Sequence, residues 1–146
     1  MKNLKIKNAN KIIFIENKAN YIDYIQNKMN KNEFVVYHGG MYGEIKGQFF
    51  KKLYEATKES EFYHWSDIDI GGLKIFSRLR KVIPNLKPYM MDKEAFYSKK
   101  KYWKEMSEEY KNKLVKLKEN KEYNDFYEII DEMIKNNSKL EQEAFI

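Results

Sequence analysis

Apolar residues in this chain gather in short unbroken runs separated by stripes of helical period. Four runs stand out: Ile12 to Ile15, Phe34 to Tyr37, Phe62 to Trp65 and Leu86 to Met91. None alternates apolar with polar positions, which is the pattern of strands buried on both faces of a parallel sheet. Between the runs the spacing becomes helical. Tyr21, Ile22, Ile25 and Met29 share one face, with Asn17 placed as N-cap. Phe49, Phe50, Leu53 and Tyr54 form a second stripe, and Leu73, Ile75, Phe76, Leu79 and Val82 a third. Alternating strands and helices predict an α/β fold of about four mostly parallel strands flanked by helices. Pro88 puts the fourth strand at an edge, because proline offers no N–H to a neighbour.

From about Lys93 the chain turns rich in Lys, Glu, Tyr and Asn. It therefore divides into an α/β core, 1–92, and a helical C-terminal segment, 93–146, expected to pack on the same domain. Phe126, Ile129, Ile130, Met133 and Ile134 mark a helix there, closed by Asn136-Asn137. Ser138-Lys139-Leu140-Glu141 then has the form of a capping box opening a last short helix.

With 146 residues, 42% hydrophobic and 34% charged, the chain has material for one domain with a real core. No apolar run approaches the roughly 20 residues of a membrane helix. Met1-Lys2-Asn3-Leu4-Lys5 has no apolar stretch behind it, unlike a secretory signal. The lack of cysteine removes disulfides and thiolate metal sites and fits a cytoplasmic location. Net charge is +6, almost all from lysine, with arginine only at Arg78 and Arg80. That supports a polyanionic partner only weakly, since coding bias explains joint lysine and asparagine richness as well.

The chemistry gathers where strands end. In an open parallel sheet, functional groups collect at the carboxyl ends of the strands. Here Glu16 follows the first run, His38-Gly39-Gly40 the second, Asp67-Ile68-Asp69-Ile70-Gly71-Gly72 the third and Asp92 the fourth. Residues i and i+2 of an extended segment face the same way, so Asp67 and Asp69 can reach one ion. Magnesium prefers such hard oxygen ligands, usually one or two carboxylates plus waters. Glu16 could ligate the same ion or act as general acid/base. The plainer reading makes Asp67 and Asp69 helix caps or turn residues and Glu16 a solvated strand end. Acids at neighbouring strand ends favour the metal reading for the pair and leave Glu16 balanced between the two.

Other motifs fail on spacing. An EF-hand loop begun at Asp67 would need Glu where Arg78 stands. Gly39-Gly40-Met41-Tyr42-Gly43 is neither a P-loop nor GxGxxG, though its glycines would let backbone amides approach a phosphate. His38 and His64 are too few for a zinc cluster. His64 reads as a core histidine, and His38, at a strand end, as a candidate substrate contact. Ser98-Lys99-Lys100-Lys101-Tyr102-Trp103-Lys104 could meet a nucleic-acid backbone, or be a solvated helix face.

Taken together, Ile15-Glu16-Asn17, Tyr37-His38-Gly39-Gly40-Met41-Tyr42-Gly43, His64-Trp65-Ser66-Asp67-Ile68-Asp69-Ile70-Gly71-Gly72, Tyr89-Met90-Met91-Asp92 and Leu140-Glu141-Gln142-Glu143 resemble a Toprim domain. The likeness is nearest to the C-terminal Toprim domain of the nuclease subunit of the Wadjet anti-plasmid system. That subunit is itself similar to the DNA-cleaving subunit of type II-B topoisomerases and to the meiotic double-strand-break protein. The resemblance implies a Toprim-like Rossmannoid fold with a helical C-terminal extension and Mg²⁺-dependent cleavage of DNA, with Mn²⁺ as a substitute. It implies Glu16 as acid/base and metal residue, Asp67 and Asp69 as magnesium ligands and Glu141 as a further acid near the metal. His38, Gly39, Gly40, Gly71 and Gly72 become candidate substrate contacts. The implied partners are DNA, upstream winged-helix-type domains of the same parent protein and, as a further candidate, a second copy; a membrane is not among them. Larger relatives carry those DNA-gripping domains before the Toprim domain, whereas this chain starts almost at its first strand. Two other readings stand beside this one. One is a non-catalytic Toprim-like module that binds DNA or protein. The other is a haloacid-dehalogenase-like phosphatase, whose Asp-x-Asp would belong after the first strand rather than the third.

Overall fold

The structure, a computed structural model, describes residues 9–40 and 43–146. The N-terminal Met1–Asn8, and Met41 and Tyr42 of the glycine-rich stretch, lie outside the described residues. Strands β1 (Lys11–Ile15), β2 (Glu33–Tyr37), β3 (Glu61–Trp65) and β4 (Leu86–Pro88) form one sheet in the order β2-β1-β3-β4. Every pairing is parallel, with Ile15 in register with both Tyr37 and Trp65. Ile12, Ile13, Phe14 and Ile15 are fully buried, as expected of a central strand with both faces covered. This is the α/β class that the apolar runs predict.

Helices α1 (Lys18–Asn27), α2 (Glu44–Ala56) and α3 (Ile70–Val82) connect the strands. Phe14 meets Phe50 of α2 edge-on at 5.1 Å, and His64 meets Phe76 of α3 at 5.8 Å, so α2 and α3 share one face of the sheet. Trp65 contacts Tyr89 at 5.3 Å and Phe145 at 6.0 Å, so the C-terminal residues help to cover the other face. The rest comprises α4 (Lys93–Ser98), α5 (Glu108–Leu117), α6 (Tyr127–Lys135) and a small antiparallel pair, β5 (Lys104–Glu105) and β6 (Ser138–Lys139). It packs on α3 through Phe126, whose ring stands edge-on to Phe76 at 4.9 Å. Among the described residues no helix is long and apolar enough to cross a membrane.

Three local expectations are corrected. The inward residues of α1 are Asn20 and Tyr24, whereas Ile22 and Ile25 are 39% exposed and Met29 45%. Asn20 turns in because its Nδ2 donates to the Gln142 carbonyl at 2.8 Å, a polar partner supplied 122 residues away. The fourth strand stops at Pro88 rather than Met91; Tyr89 still donates to His64 O at 2.9 Å, but Met90 adopts φ +52° and leaves the sheet. Ser138 to Glu141 do not form a capping box. Ser138 and Lys139 are strand β6, Ser138 Oγ donates to Asn136 O, and the Glu141 carboxylate pairs with Lys104 at 2.7 Å. The final helical turn, Gln142–Phe145, is a 3₁₀ turn with no side-chain cap.

Candidate metal centre

Glu16 follows β1 directly, and its N–H donates to Trp65 O, which ties it to the end of β3. Asp67 and Asp69 occupy the loop from β3 into α3. One oxygen of Asp69 accepts the N–H of Gly72 at 2.7 Å, making Asp69 the N-cap of α3. The Ile70 N–H, another orphan donor of that helix start, is met by the Tyr110 hydroxyl at 2.8 Å. Gly72 is glycine for a packing reason: a Cβ there would run into the Asp67 carbonyl oxygen and lie 2.6 Å from Ser66 Oγ. Asp-x-Asp therefore sits on a helix start too tightly packed for any side chain at that position.

The second strand end completes the site. Gly39 and Gly40 take φ of +57° and +31°, which β-carbon-bearing residues avoid. A Cβ on Gly40 would stand 2.8 Å from Glu16 Oε1. The glycine pair therefore holds the turn that lets its backbone close on the Glu16 carboxyl. Glu16, Asn17, Lys18, Tyr37, Gly39, Gly40 and Asp67 line a cavity of about 450 Å³. Lys46 of α2 secures the turn from behind by donating to His38 O.

Burial and the repulsion of nearby acids shift all three carboxyls the same way. Burial, then the charges of Asp67 and Asp69, push Glu16 up to about 7. Burial raises Asp67 as well, opposed by the Gln142 N–H and reinforced by Asp69, Glu141 and Glu143. Asp69 is raised chiefly by burial, against the Gly72 N–H and the Lys139 ammonium, with Glu141 adding to the rise. Strand ends and the C-terminal segment thus crowd like charges into a poorly hydrated place, the condition that makes a cation welcome.

The structure sorts the expected residues. Glu16 and Asp67 line one cavity, and Asp69 lies within electrostatic reach of both. Glu141 does not line that cavity; it is ion-paired to Lys104 and lies within electrostatic reach of both aspartates. Among the described residues no three carboxylates or imidazoles stand close enough to enclose a metal ion. A bare cage is thus absent, and one or two carboxylates with waters is the arrangement these residues fit. Glu16 Oε2, buried and without a hydrogen-bond partner among the described residues, is the oxygen such an ion would satisfy. Gly71 and Gly72 belong to the first turn of α3, and a Cβ on Gly71 would meet only Asp69 Oδ1, at 3.4 Å.

His38 packs in the core rather than on the cavity wall. It is 6% exposed, with its ring 5.2 Å from His64 and 6.2 Å from Phe50. Burial first, then Lys46, drives it down to about 4, so it is a neutral core residue at ordinary pH. His64 is fully buried, as its strand position implied, and is also driven down by burial. Gln142, Tyr110 and Lys139 contribute to the site although the sequence assigns them no role of their own, because they reach it only through tertiary contact. Asn17, which the sequence marks as the N-cap of α1, also binds Gln142 and Glu143.

Comparison with known proteins bears on the whole chain. The family described as "Wadjet protein JetD, C-terminal" matches residues 1–146. The Wadjet protein JetD of Bacillus cereus (strain Q1) is 36% identical over 138 residues, which is 92% of this chain and 33% of that protein. The chain thus spans about a third of the length of the curated relative it matches. By the extent of the first match and the coverage of the second, the chain belongs to the Wadjet JetD C-terminal family.

Proposed function

We propose that this chain is a Toprim-type, divalent-metal-dependent DNA-cleaving domain of a plasmid-defence protein. The observation that carries the reading is that Glu16 from β1 and Asp67 from the β3–α3 loop line one open cavity, with Asp69 within electrostatic reach. Asp67 and Glu16 would hold Mg²⁺ or Mn²⁺ as a hydrated ion, with Asp69 and Glu141 within electrostatic reach. When bound, the ion supplies charge neutralisation at the scissile phosphate and an acidified water.

The remaining work falls to the chain's own residues. Asp69 caps α3 and so sets the direction of the Asp67 loop. Without a metal Glu16 stands near 7, in the range a general acid/base needs, and a cation held on its carboxylate would lower that value. Gly39 and Gly40 keep the second wall low enough for a backbone phosphate to approach the acids. Lys18, at the cavity edge, offers a cation for that phosphate.

The test is nicking of supercoiled plasmid with Mg²⁺ or Mn²⁺ by the wild type and its Glu16→Ala and Asp67→Ala forms, beside Mn²⁺ binding by electron paramagnetic resonance. Loss of nicking in both variants, with Mn²⁺ binding weakened by Asp67→Ala, is the expected result. Equal nicking by all three proteins would sink the assignment. One observation favours a non-catalytic binding module as the second reading: Asp67 and Asp69 each already give an oxygen to a backbone N–H. A folded chain that binds DNA but neither Mn²⁺ nor Mg²⁺ would establish it.

A further inference from the structure

The end of the chain is built into the acid site. Leu140 and Ile68 exchange both backbone hydrogen bonds, at 3.2 and 2.9 Å, so the segment is stitched to the residue between the two aspartates. Two residues on, Gln142 is 1% exposed and binds three elements at once. Its N–H donates to Asp67 Oδ1 at 2.6 Å. Its side-chain Oε1 accepts the N–H of Asn17, the residue after Glu16, at 3.2 Å. Its carbonyl accepts Asn20 Nδ2 at 2.8 Å from inside α1. Glu143, next along, accepts Asn17 Nδ2 at 2.8 Å.

These bonds answer a mechanical need. Glu16 and Asp67 leave neighbouring strands; the Glu16 N–H on Trp65 O and the Asp67 backbone at the Glu16 carboxyl already join the strand ends, and Gln142 adds the tie that holds the Asp67 carboxylate itself. A carboxylate oxygen held by a backbone N–H is fixed in direction by a charge-assisted bond. The arrangement also carries a cost, because Gln142 Nε2 is buried without a partner among the described residues. A methionine at that position would avoid the cost but would lose the grip on Asn17.

We propose that Gln142 is a positioning residue for the carboxylate centre, holding Asp67 and the Glu16–Asn17 strand end in one frame through its N–H and its side-chain carbonyl. Its functional meaning rests on the metal-centre reading given above; its mechanical part does not. Groups that orient a metal ligand from behind are typically worth roughly 10–100-fold in affinity.

Two substitutions separate the bonds. Gln142→Met keeps volume and N–H but removes the acceptor for Asn17. Gln142→Pro also removes the N–H to Asp67, at the first position of a helical turn and after a residue with φ −79° and ψ 145°, where proline is accommodated. Mn²⁺ affinity of the whole 146-residue chain is measured for the wild type and both variants, each with and without Asp67→Ala and each with a thermal melt. Gln142→Pro is expected to weaken Mn²⁺ binding by roughly 10–100-fold and Gln142→Met by less. Both effects should vanish when Asp67 is alanine, a dependence that a merely structural role would not show.

Unchanged affinity in both variants, or the same loss with alanine at position 67, overturns the proposal. Amide hydrogen exchange in metal-free protein supplies a second readout that needs no metal and no variant at position 142. The Gln142 amide should exchange slowly in the wild type and at least tenfold faster in Asp67→Ala. An amide indifferent to Asp67 overturns the positioning role. If the wild type binds no Mn²⁺, the metal reading fails, and amide exchange alone decides the positioning role.

Discussion

Replacing Glu16 by glutamine should make the metal-free protein more stable at alkaline pH. An acid whose folded-state pKa lies above its unfolded value binds its proton more tightly when folded. Glu16 rises from the ordinary 4.5 to about 7, through burial and the charges of Asp67 and Asp69. Its contribution is therefore complete below about pH 4.5 and is lost as pH climbs through 7. At 1.36 kcal/mol per pH unit the gap corresponds to roughly 3 kcal/mol in a closed site. Because the carboxyl faces an open cavity, solvent screening reduces this to about 1–2 kcal/mol. For a chain of this size that is a melting difference of roughly 3–6 °C.

The assay is thermal unfolding with a chelator from pH 4.5 to 8.5, wild type against Glu16→Gln. The raw curves mix several groups: His38, held down to about 4, lowers stability as pH falls below 6.5. The difference between the two proteins removes that common term. It should be near zero at pH 4.5, where glutamine mimics the protonated acid, and should favour the variant by several degrees at pH 8. Parallel curves across the range would refute the claim that the three acids share one crowded site.

Three further outcomes are expected. Gly72→Ala drives a Cβ into the Asp67 carbonyl and should cost about 1–3 kcal/mol in denaturant unfolding and weaken Mn²⁺ binding, whereas Gly71→Ala should be tolerated. Phe126→Ala empties the contact with Phe76 and should cost about 3–5 kcal/mol while calorimetry still shows one transition, because residues 93–146 share their core with α3. Lys100→Ala with Lys101→Ala should cost at most about 1–2 kcal/mol in unfolding, since both lysines lack carboxylate partners among the described residues and lose only exposed cation–π contacts with Trp103 and Tyr102. If that turn meets a DNA backbone, the salt dependence of DNA binding should become shallower by about 1–2 in log–log slope.

Much of the fold was legible because its signals are local. The run Ile12 to Ile15 declares a strand buried on both faces, and it is the centre of the sheet. Leu73, Ile75, Phe76 and Leu79 declare the inner face of α3, and all four are buried. Pro88 declares an edge, and β4 is one. The errors fall where a distant segment overrides local pattern. The apolar stripe of Ile22 and Ile25 faces outward because Asn20 has its partner in Gln142, a preference invisible to helical periodicity. Ser138 to Glu141 spell a capping box, but the edge of β5 and the backbone of Ile68 claim that stretch for extended pairing.

By itself, then, the sequence determined which residues would stand at strand ends: Glu16 after β1, the glycine pair after β2 and Asp-x-Asp after β3. That follows from the two-residue period of strands, the apolar runs and the gathering of polar groups at the carboxyl ends of parallel sheets. Only the tertiary structure decided how these ends meet. The order β2-β1-β3 sets the strand ends carrying Glu16, Gly40 and Asp67 side by side. It also swings His38 away from the cavity into the core and brings Gln142 back across 75 residues to hold Asp67. The reason is physical: local pattern records which face of an element is apolar, whereas a charged site depends on groups that become neighbours only when separate elements pack.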